Sequence, residues 1–241
     1  MSGHTSTHRA PAQDDLEWRG DTPTSRRFAD PYYSPLDGLA EARHVFLEGA
    51  DLPARMAAAP GGLHVAELGF GVGLNLLAAW RLHLRAGKGT LRFTSFEAHP
   101  LPAEVMARAH ARWPELADLS RALCAAWRPE GEAVRAALPG LALEVRLGDA
   151  RALVPRAGFE ADVWFLDGFA PARNPQMWEP ALMRAVFEAC RPGGAAVTYS
   201  AAGAVRRALA AAGFEVRKRP GFARKREMLV ALKPPAGAPQ R

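Results

Sequence analysis

The chain has 241 residues, 49% of them hydrophobic and 23% charged, with a net charge of +6. This size predicts one α/β domain with a short accessory segment, and the basic excess is compatible with an anionic partner such as nucleic acid. The most apolar stretch, residues 62–80, is interrupted by Glu67 and several glycines, which argues against a membrane span, and the N-terminus carries no apolar signal segment. Cys124 and Cys190 lack metal-site or C-x-x-C spacing, which predicts reduced thiols in a cytoplasmic protein.

Four segments are predicted along the chain. Residues 1–15 and 233–241 are polar or proline-rich and are predicted to be disordered. Residues 16–60 contain turn clusters and predict a hairpin, a loop and the start of a helix, as an N-terminal extension over the active site. Residues 61–232 form the main domain.

Strands and helices are predicted to alternate in the main domain. The predicted strands are 63–68, 91–97, 141–147, 162–167, 194–199, 214–218 and 227–232, and the predicted helices are 73–85, 102–112, 115–138, 177–189 and 203–212. The closing pair of strands predicts one antiparallel edge strand on a mostly parallel sheet. This order is that of class I S-adenosyl-L-methionine (SAM) methyltransferases, which have a Rossmann-like fold.

A glycine-rich turn follows the first strand of this domain. Glu67 closes the strand, Gly69, Gly71 and Gly73 alternate after it, and Asn75 lies in the following helix. Glycines permit positive φ angles and close approach of a ligand to the backbone. The spacing does not match the G-x-G-x-x-G pattern of dinucleotide-binding proteins, so a nicotinamide dehydrogenase is the weakest alternative. The turn looks like motif I of SAM methyltransferases, so the residues predicted to bind the cofactor are Glu67, Gly69, Gly71, Gly73 and Asn75, with Phe70 as a candidate contact for the sulfonium.

Carboxylates also end or follow three other strands. They are Glu97, Asp149 and Asp167. Because ligands of open parallel sheets bind beyond the carboxyl ends of the strands, these acids are predicted to border the cofactor site. Glu97 is suited to a ribose diol and Asp149 to the amine of adenine, although each could instead be a helix N-cap. Asp167 is predicted to contact the cofactor and to orient or deprotonate an amine that accepts a methyl group.

Five segments together resemble the methyltransferase domain of the MnmC family. They are residues 28–47, 67–75 and 95–97, residues 167–178 with the pattern D-G-F-A-P-x-x-N-P-x-M-W, and residues 221–229 with the pattern G-F-x-R-K-R-E-M-L. The likeness covers roughly residues 16–232. That family makes 5-methylaminomethyl-2-thiouridine at the wobble position of tRNA. The resemblance therefore implies a SAM-dependent N-methyltransferase acting on 5-aminomethyl-(2-thio)uridine in tRNA.

The resemblance also implies site residues and partners. Tyr32, Tyr33, Asp37, Gly38 and Glu41 would face the cofactor or the uridine, or would form only a packed hairpin and turn; Phe169, Pro171 and Asn174 would contact the substrate. Two-domain members carry a flavin-dependent oxidase that exposes the amine. Because this chain stops at Arg241, we expect methyl transfer without FAD or a metal, and a separate enzyme that supplies the amine.

Basic residues cluster near the closing strands. Arg224, Lys225 and Arg226 belong to this cluster and are predicted to contact tRNA phosphates, although a solvated surface would have the same composition. Two other functions remain open. A small-molecule N-methyltransferase would bind SAM and ignore tRNA, and a non-catalytic RNA-binding subunit would keep the basic surface without turnover.

Overall fold

The structure, a computed structural model, describes residues 15–237. Its strands are β1 Leu16–Arg19, β2 Thr22–Ser25, β3 Asp30–Pro31, β4 His64–Leu68, β5 Leu91–Glu97, β6 Ala133–Leu138, β7 Leu141–Leu147, β8 Ala161–Leu166, β9 Cys190–Thr198, β10 Glu215–Pro220 and β11 Glu227–Leu232. Its α-helices are α1 Gly38–Ala42, α2 Leu52–Ala58, α3 Leu74–Ala86, α4 Ala103–His110, α5 Ala117–Ala126, α6 Ala150–Leu153, α7 Pro180–Glu188 and α8 Gly203–Ala212. A π-helical turn follows α1 at Arg43–Glu48, and 3-10 turns occur at Pro114–Leu116, Val154–Arg156 and Pro175–Trp178.

The main sheet has the strand order β10-β11-β9-β8-β4-β5-β7-β6. β4, β5, β7, β8 and β9 are parallel, whereas β11 pairs antiparallel with β9 and with β10. The chain leaves β4 first toward β5 and later returns to β8 on its other side, so the order reverses between β4 and β8. In such sheets the crevice beyond the strand ends at this reversal is the usual ligand site.

Both faces of the sheet are covered by helices. Successive residues of β4 point to opposite sides: Val65 packs with helices α1 to α5, and Ala66 packs with α6 to α8. All five residues of β4 are buried. Burial on both faces explains the apolar residues of this strand, and its two polar side chains, His64 and Glu67, are hydrogen-bonded. The two layers fix the strand ends, and with them the site.

The N-terminal extension forms a small antiparallel sheet, β1-β2-β3. It lies against the loop that follows β8. The backbone N–H of Ala170 donates to Asp30 Oδ2 at 2.8 Å, and the rings of Phe28 and Phe169 stack with centroids 4.6 Å apart. The extension therefore contributes to the wall of the crevice.

The domain boundaries drawn from the sequence stay predictions. The disorder predicted for residues 1–15 lies outside the described residues except at residue 15, whereas residues 233–237 of the predicted tail 233–241 are described. Lys233, the first residue of the predicted tail, exchanges backbone hydrogen bonds with Gly193 and Gly194, so packing extends to this position. Among residues 15–237, no helix is long and apolar enough to cross a membrane.

The helix predicted over residues 115–138 is wrong in its second half. Helix α5 ends at Ala126, and β6 pairs antiparallel with β7 along its whole length. Pro129 and Gly131 interrupt helical structure, and Pro139-Gly140 turns the chain into a hairpin. Pairing with the edge of β7 outweighs the helix propensity of the alanines in β6, which is a tertiary effect that local composition does not reveal.

Candidate active site

The glycine turn between β4 and α3 packs directly on the end of β8. Gly69 has φ +83°, and a Cβ atom there would lie 2.2 Å from the backbone oxygen of Asp167. Its own N–H donates to the backbone oxygen of Phe96 at 2.9 Å. Gly73, with φ +77°, precedes the first turn of α3. Only glycine fits at the Gly69 position, where positive φ and close backbone contact coincide.

The acid that ends β5 braces this turn. Glu97 Oε2 accepts a hydrogen bond from the N–H of Gly71 at 2.9 Å, and Oε1 accepts from the N–H of His99 at 2.7 Å. Glu97 also borders the cavity. A carboxylate has about four acceptor positions, so two remain for ligand hydroxyls. Ribose binding by Glu97 stays a prediction that this geometry permits.

Glu67 lies beneath the turn and away from the cavity. Its side chain is 1% exposed and is not among the residues that line the cavity. Oε1 accepts from Asn75 Nδ2 at 3.0 Å, and Oε2 lies 2.9 Å from the hydroxyl oxygen of Ser95. Burial, with a smaller contribution from the charge of Asp167, raises the pKa of Glu67 well above its usual range. This placement therefore does not favour the predicted direct contact between Glu67 and the cofactor.

Asp167 follows β8 and reaches the cavity floor. Its Oδ2 accepts a hydrogen bond from Asn75 Nδ2 at 2.6 Å, so one amide nitrogen contacts both buried acids. Burial raises the pKa of Asp167 to about 7, although the hydrogen bond from Asn75 opposes the shift. A carboxylate with such a pKa can accept a proton near neutral pH. The strand-end rule thus placed Asp167 where a reacting group could meet it.

A lysine ammonium occupies the same end of the cavity. Lys225 Nζ lies 2.7 Å from Glu41 Oε1 and 3.8 Å from the ring centroid of Tyr199. The Tyr199 hydroxyl donates to the backbone oxygen of Gly168 at 2.8 Å. Burial raises the pKa of Tyr199, so its hydroxyl stays protonated. Carboxylate and aromatic face together form a cation-binding subsite.

This placement separates the three basic residues that were predicted to contact phosphates. Lys225 borders the cavity and pairs inward with Glu41, whereas Arg224 and Arg226 are exposed and do not line the cavity. Within the described chain, Arg224 and Arg226 make no ion pair. The phosphate role predicted for Lys225 is not what its position favours, and that of the two arginines stays a prediction.

The predicted substrate-contacting residues fall into two groups. Tyr32, Phe169 and Asn174 line the cavity, and the Tyr32 and Phe169 rings meet edge to face with centroids 5.2 Å apart. Pro171 is not part of the lining, and Asp37 instead caps α1 through a 3.0 Å bond from the N–H of Ala40.

Tyr33 and Phe70 border the cavity from the protein core. The Tyr33 hydroxyl donates to the backbone oxygen of Asp21 at 2.5 Å, and its ring packs edge-on against Trp113. Phe70 is 3% exposed and stacks on Trp127 with ring centroids 4.9 Å apart. Packing accounts for both rings, and a contact of Phe70 with a sulfonium stays a prediction.

Asp149 caps helix α6 and pairs with Arg151. Its Oδ1 accepts from the backbone N–H of Arg151 at 2.9 Å, and the closest approach of the two side chains is 2.6 Å. The hydrogen bonds from Arg151 lower the pKa of Asp149. Both residues border the cavity. An adenine amine would share the Asp149 carboxylate with this arginine, so the predicted adenine contact stays open.

Three residues of the site had no assigned role in the sequence analysis. Tyr199 follows β9, so the same strand-end rule that selected the acids could have found it. Ser95 is a polar residue inside a buried strand, two positions before Glu97, and that position is the signal for it. Asp30 holds the loop after β8 through the N–H of Ala170, and no sequence signal links residues so distant in the chain.

The cavity has a volume of about 620 Å³, within the range of small-molecule sites. Its residues fit SAM. Glu97 offers acceptors for ribose hydroxyls, the glycine turn allows close approach of the backbone, and Asp167 and Glu41 provide negative charge for a cation. Across residues 15–237, no group of three or more His, Cys, Asp or Glu side chains could hold a metal ion.

Comparison with known proteins agrees with the fold and with SAM as the cofactor. The bifunctional tRNA 5-methylaminomethyl-2-thiouridine biosynthesis proteins MnmC of Chromohalobacter salexigens and Caulobacter vibrioides are 43% and 46% identical to this chain over 228 and 226 residues, covering 90% and 91% of it. The chain spans only 33% and 38% of their lengths. The crystal structure of MNMC2 from Aquifex aeolicus matches 93% of this chain and 71% of its own, at 26% identity and a TM-score of 0.72.

The resemblance to the methyltransferase part of MnmC, the fold class and SAM as cofactor, all predicted from the sequence, are thereby confirmed. A family model described as S-adenosyl-L-methionine-dependent methyltransferase matches residues 114–234, half of the chain. The chain belongs to the S-adenosyl-L-methionine-dependent methyltransferase family.

Proposed function

We propose that this protein methylates the primary amine of 5-aminomethyl-(2-thio)uridine at the wobble position of tRNA, with SAM as donor. The observation that carries the proposal is the position of Asp167 on the cavity floor, with a pKa raised to about 7, beside a subsite that accepts an ammonium group. The names of the relatives, which concern 5-methylaminomethyl-2-thiouridine, support this product class.

An amine must lose a proton before it can accept a methyl group. Asp167, when ionised, accepts that proton from the substrate ammonium and leaves a nitrogen with a free lone pair. SAM supplies an electrophilic methyl group on a sulfonium. Asp167 also orients the amine by hydrogen bonding, and the proton it has taken leaves to solvent after the methylated amine departs.

The subsite around Lys225 indicates the charge that this cavity prefers. Glu41 and the face of Tyr199 surround one ammonium group, and the charges of Glu41, Asp30 and Lys225 all act on Asp167. Because the Lys225 ammonium fills this subsite, a substrate ammonium has the Asp167 carboxylate as its partner, and the negative charges of Glu41 and Asp30 also favour a cation there. We infer that the primary ammonium of the aminomethyl group binds against Asp167.

Exposed cations near the cavity support a polyanionic substrate. Arg27 lines the cavity rim, Arg173 lies beside the lining residue Asn174, and Arg224 and Arg226 flank Lys225 in sequence. Phosphate contacts of this kind position nucleic acid, while a pocket reads an extruded base. A separate enzyme that supplies the aminomethyl group, and a cytoplasmic location, are parts of the same proposal.

Methyl transfer to tRNA tests the proposal directly. Purified protein is mixed with methyl-labelled SAM and tRNA from cells that cannot complete this modification, and the nucleosides are separated and identified. We expect the label in 5-methylaminomethyl-(2-thio)uridine, and none in tRNA that already carries this nucleoside. Labelling of small amines without labelling of tRNA would instead indicate a small-molecule N-methyltransferase. Binding of tRNA without any transfer would indicate a non-catalytic subunit.

A further inference from the structure

Glu67, the acid of the glycine-turn motif, does not line the cavity. Asn75 links it to Asp167 by hydrogen bonds instead. Asn75, which is 7% exposed, lies between the two acids. Its Nδ2 atom is 3.0 Å from Glu67 Oε1 and 2.6 Å from Asp167 Oδ2. An amide nitrogen carries two hydrogens, so it can donate one to each carboxyl group.

The surroundings of the two acids differ in charge. Glu67 faces Asp167 and Glu97, both acidic, and its remaining neighbours are the neutral side chains of Asn75 and Ser95. Asp167 faces the carboxylates of Glu41 and Asp30 and the Tyr199 ring, but it also faces the Lys225 ammonium. Two carboxyl groups on one amide do not both ionise readily, and the charge is more stable on the acid with the nearby cation.

Ser95 gives a neutral Glu67 a complete set of partners. Its hydroxyl oxygen lies 2.9 Å from Glu67 Oε2 and 3.5 Å from the backbone oxygen of Glu67. A proton on Oε2 can be donated to the serine oxygen, and the serine hydroxyl can be donated to the backbone oxygen. Oε1 remains free to accept from Asn75. Burial of Glu67 and the charge of Asp167 raise its pKa and favour the same state, and the opposing hydrogen bonds from Asn75 and Ser95 do not reverse this shift.

We propose that Glu67 and Asn75 are positioning residues for Asp167, in which Glu67 remains a neutral carboxylic acid and Asn75 donates a hydrogen bond that keeps Asp167 ionised and oriented toward the amine. The proposal rests on the proposed function for the role of Asp167. In this proposal Glu67 supports Asp167, the base of the reaction, and does not bind the cofactor.

Titration of the carboxyl groups tests the protonation states without any substrate. Protein labelled with 13C at the Asp and Glu carboxyl carbons is titrated by NMR, and the variants Asp167→Asn and Glu67→Gln assign the two resonances. We expect Asp167 to titrate near pH 7 and Glu67 to stay protonated throughout that transition. Asn75→Leu should raise the midpoint of Asp167 by about one pH unit or more, because the lost donor had stabilised the charged form. Glu67→Gln should leave that midpoint in place, since one neutral group replaces another.

The pH dependence of single-turnover methyl transfer at saturating SAM is the second readout. Asn75→Leu should reduce the rate at pH 7 by about five- to tenfold and lose most of this deficit at higher pH, because the acidic limb of the profile moves with the Asp167 midpoint. A merely structural role would lower the rate equally at every pH. Leu76→Ala, at the neighbouring core position in α3, is the matched control that should lower the melting temperature without moving the midpoint. Asn75→Ala, which also lacks a donor, serves if Asn75→Leu does not fold.

Three results would overturn the proposal. A downward move of the Asp167 midpoint by a unit or more in Glu67→Gln would show that Glu67 carries a charge. Ionisation of Glu67 at or below the pH at which Asp167 ionises in the parent protein would show the same. An unchanged midpoint in both Asn75 variants would remove the positioning role. If the parent protein transfers no methyl group to tRNA, the proposed function fails, and the titration still decides the protonation states.

Discussion

Two regions of the cavity wall differ in what fixes their side chains. The floor consists of Asp167, which follows strand β8, and Asn75, in the first turn of helix α3. The Asn75 amide is hydrogen-bonded to Asp167 and to Glu67 in strand β4. The loop between β10 and β11 holds Lys225, whose ammonium crosses to Glu41 in helix α1. Position in the floor follows from the order of the strands. Position in the loop depends on which way a long, flexible side chain turns.

This difference predicts different consequences of substitution. A change in the floor should alter the chemical step, because the groups there are held within hydrogen-bond distance of one another. A change in the exposed part of the loop should alter tRNA affinity and its dependence on salt. Lys225 belongs to the loop by sequence, but its charge acts on Asp167 in the floor. Its variants therefore test which of the two consequences applies to it.

The largest effect is expected for Asp167→Asn. The amide preserves the shape of the side chain but cannot accept a proton, so single-turnover methyl transfer should fall by roughly two to four orders of magnitude, as for loss of a general base. The affinity for SAM, measured by calorimetry, should change much less. A near-normal rate in a folded variant would show that another group deprotonates the amine.

A smaller effect is expected at the glycine turn, on binding rather than on chemistry. Gly69→Ala places a methyl group against the Asp167 backbone at positive φ, and strain of about 1–3 kcal/mol corresponds to a roughly 10- to 100-fold weaker affinity for SAM. Gly71→Ala is the matched comparison, because a Cβ atom there would lie 3.3 Å from the movable Tyr32 ring. Calorimetry with a thermal melt should rank Gly69→Ala as the worse variant. Equal losses at both positions would contradict the close packing at Gly69.

The sequence could predict the residues of the floor because the signals that mark them lie in short stretches of sequence. The apolar run before Glu67 marks a strand buried on both sides, and parallel strands bring their carboxyl ends to one edge of the sheet. Asp167, Glu97 and Asn75 therefore fall close together without knowledge of any side-chain angle. The predicted parallel sheet with its closing hairpin follows from the same alternation of strands and helices.

Where the structure places residues differently from what the sequence suggests, the physical causes lie outside the local sequence. Glu67 was predicted to meet the cofactor because a residue that ends a strand can turn either toward the crevice or beneath the turn, and Asn75 and Ser95 select the second arrangement. β6 was predicted as helix because its alanines favour helix, whereas the exposed edge of β7 selects a strand. The ion pair between Lys225 and Glu41 joins residues 184 positions apart, a distance at which sequence patterns carry no signal.

An intermediate effect is expected for Lys225→Met, which keeps the length of the side chain without its charge. The Lys225 cation lowers the pKa of Asp167, so its loss should raise the midpoint of Asp167 and reduce the rate at pH 7 by several-fold. The salt dependence of tRNA binding should stay that of the parent protein, because the ammonium faces Glu41 and Tyr199. A reduced salt slope with a normal rate would instead return Lys225 to the phosphate-binding group.

The smallest effect on chemistry is expected for the double variant Arg224→Gln and Arg226→Gln. If both guanidinium groups contact phosphates, the slope of log affinity for tRNA against log salt concentration should fall by about 0.7–0.9 for each lost contact, and the KM for tRNA should rise. The rate at saturating tRNA should be unchanged, since neither side chain lines the cavity.

The control for this variant removes the same amount of positive charge near the amino ends of the parallel strands, at the end of the sheet away from the cavity. Arg85 and Lys88 are exposed at the end of helix α3, which runs back from the glycine turn and so carries them away from the cavity. Arg85→Gln with Lys88→Gln should therefore leave tRNA affinity and its salt slope nearly as in the parent. Equal slopes for both double variants would mean that tRNA senses only the net charge of the protein. In that case the loop between β10 and β11 would serve to position Lys225, and its arginines would not form a phosphate-binding surface.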